Sequence, residues 1–569
     1  MNNQKGENMY KDLLKDISLI LGNTESAIAI CYLYALYQIC DNNNPFSITI
    51  KEISKHEKDE KIRFALSEYL DEESWVKAKE LLKKYNKEDI EEAIINIGEN
   101  FELFRNDETP KCICNLAEGI LDIKIHDSVA DICSGKGNFI LSETNVSNNS
   151  FAFEIDTKNI IISKIKSTIL NRTIKIEQGD VFGLYGTDQL KDEEYDKVFA
   201  HYPFGLRIDI TSKNIKLFEE MKKDIDSIKK NTSSNWMFNY LLTKVIKKDG
   251  KALCISNNGI LWNGMDEPVR KYFVDNGLIE SIIALPERLF NNTNIPTTIV
   301  VFSNNNKTIK MVDARDIYHH GRRTNTLNET DIELILKRIK SNSDSSKNIS
   351  IKTISSNGYI LEPGRYLIQI DELKNGVKFE DVINIIQRGA PLKASELDDM
   401  ESNKKTEYQY LRLANINNGD IDEDLPYIKS VDDKYEKYLL KDNMLILSKN
   451  GAPFKSAVAN IKNNQKIVAN GNLYAIELDE KKVNPRFLQA YFSSEKGMDR
   501  LKSITVGAAI PTISIKDLKK LEIPLPDMRK QNRIAEQYQD TLDEIRVLKT
   551  KLNRAINKLN SVFDCKEEG

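Results

Sequence analysis

Short apolar runs alternate with stretches of helical periodicity from about residue 106 onwards, and this alternation constrains the fold more than any other feature. Continuous apolar strands separated by amphipathic helices are typical of a mostly parallel sheet with helices on both faces. The pattern therefore predicts an α/β, doubly wound sheet over residues 106–330. The predicted strands are 129–132, 151–155, 174–178, 197–200, 252–256, 279–284 and 298–302.

The chain of 569 residues is long enough for several domains, and its remaining parts show different patterns. Residues 1–105 show only helical periodicity, which predicts an N-terminal helical domain. Residues 331–375 are predicted to be a linker, because 341–348 is a run of Ser, Asn, Asp and Lys. Residues 376–527 alternate strand-like runs with Gly and Asn turns, which predicts a second α/β domain that is richer in β structure.

The last segment, 528–569, is free of proline and predicts one long helix. Apolar or small residues recur along it at intervals of four and three, a heptad spacing that predicts a coiled coil and a homodimer formed through this helix. The alternative is a helix docked on its own domain. The positions of the predicted seam are Ile534, Tyr538, Thr541, Ile545, Leu548, Leu552, Ala555, Leu559 and Val562.

Charge and cysteine content exclude several classes of protein. Lys and Arg number 82 against 86 Asp and Glu, so the chain is not a generically basic nucleic-acid coat, although a local basic face is compatible with these totals. The 7 cysteines form no C-x-x-C pair, which argues against a disulfide framework and a zinc site, and no metal is predicted. No secretory leader is visible and the longest apolar stretch, 27–40, is too short for a bilayer, so we expect a cytoplasmic protein without a membrane partner.

A glycine-containing loop is the strongest local motif. The segment Asp131-Ile-Cys-Ser-Gly135-Lys-Gly137-Asn-Phe139 follows a predicted strand and is expected to open into a helix. Its two glycines allow the backbone to turn tightly and to approach a ligand, although a plain tight turn is the alternative. Glu154 and Asp180 end the next two predicted strands. Three acidic residues at one edge of a parallel sheet favour a ligand crevice over solvated strand ends.

The fourth predicted strand leads into His201-Tyr202-Pro203-Phe204. Together with Thr109-Pro110 and the segments 234–238, 285–290 and 294–297, this order of motifs resembles the N6-adenine class of amino-group DNA methyltransferases. The resemblance is strongest to the modification subunit of type I restriction systems and covers roughly residues 5–320. It implies a Rossmann-like methyltransferase sheet that binds S-adenosylmethionine through Thr109, Pro110, Asp131, Gly135, Gly137, Phe139, Glu154, Asp180 and Val181.

The catalytic motif departs from the pattern of the family. The family carries Asn-Pro-Pro-Phe or Asn-Pro-Pro-Tyr, in which the Asn side-chain oxygen and a proline carbonyl accept hydrogen bonds from the exocyclic amine of the target base. The resemblance implies that Phe204 stacks the flipped base, that the Tyr202 carbonyl accepts, and that His201 accepts only when its ring is neutral. Pro203 is retained. The glycine loop also differs, because Asn138 stands where the family usually has a third glycine.

The C-terminal half resembles a target-recognition domain of type I specificity subunits, which implies binding to double-stranded DNA. The resemblance rests on the segments 411–421, 447–455, 507–514 and 523–534, in this order. It implies that Arg412, Lys449 and Lys455 contact phosphates or bases, whereas a solvated surface is the alternative for any single basic residue. Type I specificity subunits have two recognition domains separated by paired helices, and two copies of this chain would restore that arrangement.

The sequence leaves three hypotheses for function. The first is a site-specific DNA adenine-N6 methyltransferase of a restriction-modification or related defence system, which flips the target adenine. The second is a catalytically degenerate relative that binds DNA in a defence or regulatory complex. The third is a subunit that works with a separate restriction, nuclease or translocase chain, because the sequence shows no nuclease motif and no Walker A loop. His201 separates the first two hypotheses, and the retained cofactor positions favour the methyltransferase.

Overall fold

The structure is a computed structural model of the chain. The chain forms two compact units, Met1–Pro363 and Gly364–Gly569. The structure describes residues 2–22, 25–98, 108–142, 145, 147–208, 215–290, 295–373, 375–392, 396, 399–429, 431, 433–462, 465–507 and 510–560.

The N-terminal part of the first unit is helical, as the sequence predicts. Polar caps start several of its helices: the Thr49 hydroxyl accepts from the Glu52 N–H, and the Glu52 carboxylate accepts from the Thr49 N–H. Apolar side chains of these helices share one core with the helix Thr157–Ile169 of the following sheet domain. The N-terminal helices are α1 Asn2–Leu21, α2 Ser26–Ile39, α3 Ile50–His56, α4 Glu60–Tyr69, α5 Glu72–Lys79 and α6 Lys87–Ile95.

The rest of the first unit is built on one large sheet. Its strands are β1 Ser128–Ile132, β2 Asn149–Glu154, β3 Ile174–Gln178, β4 Tyr195–Ala200, β5 Ile246–Asn257, β6 Ile279–Ala284, β7 Thr297–Phe302, β8 Thr308–Asp313 and β9 Ser346–Ser350. Within the described residues these nine strands lie in the order β3-β2-β1-β4-β5-β7-β6-β8-β9. The neighbours from β3 to β5 are parallel, whereas β7 runs antiparallel to both β5 and β6.

Continuous apolar sequence explains why this sheet forms. Every residue of β1 and β7 is buried, as expected of strands covered on both faces. The strand order changes direction between β1 and β4, and such a switch point opens a crevice at the carboxyl ends of the strands. The predicted α/β sheet is confirmed. The helices that accompany it are α7 Lys111–Leu121, α8 Thr157–Ile169, α9 Val181–Leu184, α10 Lys216–Asp224, α11 Ser234–Val245, α12 Glu267–Asp275, α13 Glu329–Lys340 and α14 Ile351–Ser356.

Two predictions for the first unit are wrong. The segment 331–375, predicted to be a linker, contains most of α13 and the strand β9, so the first unit continues to Pro363. Among the described strands β9 lies at the edge of the sheet beside β8, and apart from buried Ser346 its residues are half-buried or exposed, which explains the polar sequence. The glycine loop leads into a single turn, closed by the Leu141 N–H on the Gly137 carbonyl at 2.9 Å, and not into a helix.

The second unit combines two four-stranded sheets with short helices. Its main sheets have the orders β11-β20-β17-β18 and β12-β16-β13-β19 within the described residues, with β10 to β23 numbered along the chain. These strands are β10 Gly376–Lys378, β11 Ile383–Arg388, β12 Glu401–Ser402, β13 Tyr408–Leu411, β14 Ile416–Asn417, β15 Asp420–Ile421, β16 Tyr427–Ile428, β17 Leu445–Ser448, β18 Ser456–Val458, β19 Lys466–Ala469, β20 Leu473–Leu478, β21 Thr505–Val506, β22 Thr512–Ile513 and β23 Glu522–Pro524. The described helices of this unit are Asp433–Glu436, Pro485–Ser493, Glu495–Lys502, Ile515–Lys520 and Met528–Asn560, with Pro363–Leu367 at the unit boundary.

The first half of the terminal helix, Met528–Asn560, is docked on its own unit. Gln531, Ala535 and Leu542 are buried, and the helix packs against Pro485–Ser493. Thr541, a position of the predicted seam, is exposed while its neighbour Leu542 is buried. This half therefore follows the alternative of a docked helix, because Leu542 offers more apolar surface to the unit than Thr541 does.

The second half of the terminal helix has no covering in the monomer. Every residue from 546 to 560 is exposed, although several of them are apolar. The predicted seam residue Val562 lies outside the described residues. The coiled coil therefore stays a prediction for this half of the helix.

No single helix in the described ranges is long and apolar enough to cross a membrane, and the bent pair Met9–Leu21 and Ser26–Ile39 meets that test of length and composition only when taken together. The described part of the chain also holds no group of three or more His, Cys, Asp or Glu side chains placed to bind a metal. Its cysteines are free thiols, and Cys565 lies outside the described residues.

Candidate cofactor and DNA-binding sites

The loop after β1 follows a tight backbone path with three left-handed residues. Cys133, Gly135 and Gly137 have φ angles of 69°, 52° and 81°, a region that glycine adopts at no steric cost. The Ser134 N–H donates to the Phe153 carbonyl of β2 at 2.9 Å, which fixes the loop against the neighbouring strand. A methyl group added to Gly135 would meet no other atom within 4 Å, so the space above this glycine is open.

Glu154, at the end of β2, holds this loop through its carboxylate. Its Oε2 accepts from the Gly135 N–H at 2.7 Å, and its Oε1 accepts from the Ile155 and Asp156 N–H groups at 3.0 and 2.8 Å. Since a carboxylate oxygen has two lone pairs, Oε2 keeps one for an incoming hydroxyl. Glu154 therefore shapes the loop and can still bind a ligand.

Asp131 lies buried at the bottom of the loop with only 1% of its surface exposed. Among the described residues its Oδ1 has no hydrogen-bond partner. Burial, together with the charge of Glu154, raises the pKa of the Asp131 carboxyl well above its usual range. A buried carboxyl oxygen without a partner is costly unless a ligand supplies the missing bond. Asp131 is therefore the strongest candidate for a contact with a cofactor amine or hydroxyl.

Thr109-Pro110 lies between the glycine loop and the catalytic motif. Pro110 is the N-cap of α7. The Thr109 carbonyl accepts from Asn138 Nδ2 at 3.2 Å, and the Thr109 hydroxyl lies 2.8 Å from His201 Nδ1. Asn138 Nδ2 also donates to Glu108 Oε2 at 2.7 Å. The structure thus brings the opening motif, the loop and the catalytic motif together.

His201 follows β4 and lies beside two aromatic rings. The ring centroids of Phe204 and Phe290 are 5.4 and 5.2 Å from that of His201. The surrounding protein lowers the pKa of His201 to about 4, because burial disfavours the charged imidazolium. His201 is therefore neutral at neutral pH, which is the condition under which its ring can accept a hydrogen bond. Phe204 is half-buried and Pro203 is exposed.

Two of the predicted site residues direct their side chains into the core. The Tyr202 hydroxyl donates to Asn239 Oδ1 at 2.8 Å, and its ring stacks on Phe238 at 4.7 Å. The Phe139 ring stacks on Phe199 of β4 at 3.9 Å and is 1% exposed. The buried Phe139 ring anchors the glycine loop in the core, and the buried Tyr202 ring anchors the motif after β4. Only the backbone of Tyr202 is therefore available to a ligand.

Asp180 comes two residues after the end of β3 and does not itself end the strand. Its Oδ1 accepts from the Phe182 N–H at 3.1 Å and caps α9, whose first residue, Val181, is buried. Asp180 is exposed. The pKa of the Cys133 thiol is raised mainly by burial, then by the charges of Glu154 and Asp131, and last by that of Asp180. Asp180 therefore lies near the glycine loop. Asn294, the first residue of the 294–297 motif, lies outside the described residues.

The crevice at the ends of β1, β2 and β4 fits a nucleoside cofactor in the chemistry of its donors and acceptors. Asp131 offers an unpartnered acceptor, Glu154 offers a free lone pair, and Gly135 leaves room for close approach. S-Adenosylmethionine carries an ammonium group and ribose hydroxyls that match these acceptors. The sequence predicted these three residues but missed Glu108 and Phe290, although Glu108 directly precedes the Thr109-Pro110 motif.

In the second unit, the three predicted DNA-binding cations lie near one end of the sheets. β17 ends at Ser448, opposite Leu473 at the start of β20, and the following Lys449 N–H donates to the Asn472 carbonyl at 2.8 Å. The Asn470 N–H donates to the carbonyl of Leu411, the residue before Arg412, at 2.9 Å. The Lys455 N–H donates to Ser448 Oγ at 2.8 Å. Hydrogen bonds therefore connect the segments that carry all three cations.

The basic side chains at this end of the sheets differ in whether a neighbouring carboxylate neutralises them. Arg412 pairs with Glu401 at 2.8 Å, and Lys455 Nζ donates to the Leu413 carbonyl at 3.3 Å. Burial, and then the charge of Arg388, lower the pKa of Lys449. Among the described residues neither Lys449 nor Arg388 has a carboxylate partner, so this pair favours an external anion such as phosphate. Sequence analysis missed Arg388, which ends the strand-like run of β11.

The fold and the crevice define a methyltransferase-like α/β protein. The family described as N-6 DNA Methylase matches residues 108–375. The family described as Type I restriction modification DNA specificity domain matches residues 372–558. The chain therefore matches an N-6 DNA methylase family over one part and a type I DNA specificity family over the next, and the sequence-based resemblance to both is confirmed.

The chain is similar to methylase subunits of type I restriction enzymes. The MjaIX methylase subunit of Methanocaldococcus jannaschii is 25% identical over 311 residues, which are 48% of this chain and 52% of that protein. The MpnII methylase subunit of Mycoplasma pneumoniae is 21% identical over 339 residues, which are 55% of this chain and 62% of that protein. The chain thus spans about half to three-fifths of the length of these relatives.

A solved structure shares the fold. The crystal structure of the type I restriction-modification system methyltransferase subunit from Streptococcus thermophilus matches 63% of this chain and 98% of that chain, with a TM-score of 0.54 and 14% sequence identity. At this level of identity the likeness shows the fold alone.

Proposed function

We propose that the chain is a site-specific DNA methyltransferase that transfers a methyl group from S-adenosylmethionine to N6 of an adenine flipped out of double-stranded DNA. One observation carries this proposal: the ends of the adjacent strands β1 and β4 bring the glycine loop and the motif at 201–204 into one crevice, where Thr109 contacts both. The two family matches, to a methylase and to a DNA specificity domain, support the same activity.

The cofactor is held by residues at the carboxyl ends of β1 and β2. When bound, S-adenosylmethionine supplies a sulfonium-linked methyl group that an amine can attack. Asp131 Oδ1 accepts a hydrogen bond from an ammonium or hydroxyl group of the cofactor, and this contact satisfies the buried oxygen. Glu154 Oε2 accepts from a ribose hydroxyl, as acidic residues at this position of doubly wound folds do.

The target adenine is held by the residues after β4. Phe204 offers an aromatic face for stacking, which contributes about 1–3 kcal/mol per base. Neutral His201 and the Tyr202 carbonyl accept hydrogen bonds from the exocyclic amine and so keep electron density on the attacking nitrogen. The lowered pKa of His201, about 4, keeps the ring able to accept at neutral pH.

The second unit recognises the DNA, with Lys449 and Arg388 as its main phosphate contacts. Burial, and then the charge of Arg388, lower the pKa of Lys449, and a bound phosphate offsets the repulsion between the two cations. Lys455 and Arg412 lie near the same end of the sheets, where Arg412 is partly neutralised by Glu401. We assign the phosphate-binding role first to Lys449 and to Arg388, whose Nε also donates to the Gly471 carbonyl at 2.6 Å.

The assembly proposed is a homodimer formed through the exposed half of the terminal helix. Apolar side chains at this half lie open to solvent in one chain, and a second copy would cover them. A separate restriction subunit is a further proposed partner, because the sequence shows no nuclease motif. The exposed apolar positions are Val547, Leu548, Leu552, Ile556 and Leu559, with exposed fractions of 53%, 55%, 60%, 43% and 71%.

A second candidate function is DNA binding without methyl transfer. His201 is the observation that favours it, because a ring nitrogen offers one acceptor where an amide oxygen offers two lone pairs. In this case the crevice would bind the cofactor as a ligand only. The two candidates differ in whether DNA becomes methylated.

The decisive experiment incubates the full-length protein with methyl-tritiated S-adenosylmethionine and unmethylated genomic DNA. We expect label in N6-methyladenine, and a rate about 5- to 150-fold lower in Phe204→Ala, because an aromatic face worth about 1–3 kcal/mol is lost. Phe64→Ala, which removes a 65% exposed ring from α4, should behave as wild type. Cofactor binding without label in any DNA would support the second candidate instead.

Cofactor binding is measured separately by calorimetry. Gly135→Ala places a methyl group in the open space above the loop and should weaken binding of S-adenosylmethionine at least tenfold. Gly358→Ala is the matched control, because Gly358 also has a positive φ and open space around it but lies after α14. Equal affinities in the two variants would remove the loop from the cofactor site.

A further inference from the structure

Two of the positions at which the chain departs from the family pattern, Asn138 and His201, are joined by hydrogen bonds through Thr109. Asn138 Nδ2 donates to the Thr109 carbonyl at 3.2 Å and to Glu108 Oε2 at 2.7 Å. The Thr109 hydroxyl in turn lies 2.8 Å from His201 Nδ1. A continuous set of contacts therefore connects the cofactor loop with the imidazole ring.

Buried charges hold the middle of this set in place. Lys136 Nζ lies 2.7 Å from Glu108 Oε1, and these two side chains are only 10% and 4% exposed. Lys166, which is 3% exposed, donates from Nζ to Asn138 Oδ1 at 3.1 Å. Breaking such a bond would leave a buried charge uncompensated, so these contacts resist displacement. Thr109 is thus fixed in position before DNA arrives.

A neutral imidazole carries its proton on one nitrogen, and the partner of each nitrogen decides which. In one arrangement Nδ1–H of His201 donates to Thr109 Oγ1, and Nε2 keeps its lone pair. In the other the Thr109 hydroxyl donates to Nδ1, and the proton sits on Nε2. Only the first arrangement makes Nε2 an acceptor for the amine of a base.

We propose that Thr109 is a positioning residue that accepts a hydrogen bond from Nδ1–H of His201, so that Nε2 presents its lone pair to the amine of the target adenine. This inference rests on the proposed function and deepens it. The ring nitrogen then performs the task of the amide oxygen in the family motif. Because Glu108, Lys136 and Asn138 hold Thr109, the changes at Asn138 and His201 form one coherent arrangement.

The test observes the proton directly. Full-length protein with 15N-labelled histidine rings is studied by solid-state NMR, and the His201 signals are assigned among the 5 histidines by their loss in His201→Asn. We expect a protonated Nδ1 and an unprotonated Nε2 in the wild type and in Thr109→Ser. Thr109→Val should give a mixture of both tautomers. Thr243→Val should not alter the signals, because the hydroxyl of this half-buried threonine binds the Tyr240 carbonyl at 2.8 Å.

A kinetic readout accompanies the spectrum. Loss of one hydrogen bond worth about 1–1.5 kcal/mol should lower kcat for methyl transfer about tenfold in Thr109→Val, with KM for S-adenosylmethionine little changed. A proton on Nε2 in the wild type, or an unchanged spectrum in Thr109→Val, would overturn the inference. A wild type that has the expected tautomer but transfers no methyl group would support the Thr109 contact while overturning the proposed function.

Discussion

At the scale of single residues, the pKa of His201 connects the site to pH. The folded protein holds this pKa near 4, below the 6.5 of a free ring, so the unfolded chain binds a proton between these values that the folded chain does not. The stability contributed by His201 is therefore full above pH 6.5 and is lost as the pH falls through about 4. We predict that lowering the pH from 7 to 4.5 reduces the urea midpoint more in the wild type than in His201→Asn. Equal reductions would contradict the buried, neutral ring.

Single cations in the second unit differ in their expected effect on DNA binding. We predict that Lys449→Gln and Arg388→Gln each weaken binding and reduce the slope of log affinity against log salt by about 1, because each removes one phosphate contact. Arg412→Gln should change the slope less, since Glu401 already balances Arg412 at 2.8 Å. The control is Lys441→Gln, because Lys441 pairs with Glu477 and comes before the opposite end of β17. A slope unchanged by Lys449→Gln would remove that lysine from the interface.

At the scale of elements, the sequence predicted the helices and strands whose hydrophobic pattern is visible within a short segment of the chain. Strands such as β1 and β7 are mostly apolar and fully buried, and their bounds were predicted to within a residue. β9 was taken for a linker because an edge strand with alternate residues facing solvent has the composition of a loop. The loop and the motif after β4 were likewise visible in the sequence, but the Lys136–Glu108–Asn138 contacts were not. They join residues about 30 positions apart, and only the folded chain brings these together.

Helix α7 carries a buried titratable side chain that should make the free energy of unfolding depend on pH. Glu118 of α7 is 5% exposed and accepts from the Ser142 hydroxyl, and burial raises the pKa of its carboxyl to about 7. Its contribution to stability is therefore present below pH 4.5 and is lost as the pH rises through about 7. We predict that Glu118→Gln is more stable than the wild type by up to about 3 kcal/mol at pH 8, with little difference at pH 5. Urea unfolding measures this, and exposed Glu68→Gln serves as the control.

At the scale of the whole molecule, the proposed function would divide catalysis and recognition between the two units of one chain. The first unit holds the crevice, and the second holds the cluster of cations. The match to the specificity-domain family covers residues 372–558, so under the proposed function one chain would read one stretch of DNA. A dimer with two-fold symmetry would read two stretches of opposite polarity, since the symmetry of a site mirrors the symmetry of the protein.

The terminal helix decides whether such a dimer forms. Its docked half must stay intact, because truncation before Gln531 would uncover the core of the second unit. We therefore predict that Leu552→Glu with Leu559→Glu converts a full-length dimer to a monomer without lowering the thermal midpoint, since both side chains are more than half exposed in one chain. Asn553→Glu with Asn557→Glu adds the same charge beside the apolar stripe and should leave the dimer intact. Light scattering gives the mass, and sequencing of methylated DNA should show a split, palindromic site for the wild type. A wild-type monomer that methylates one contiguous, asymmetric site would rule out this assembly.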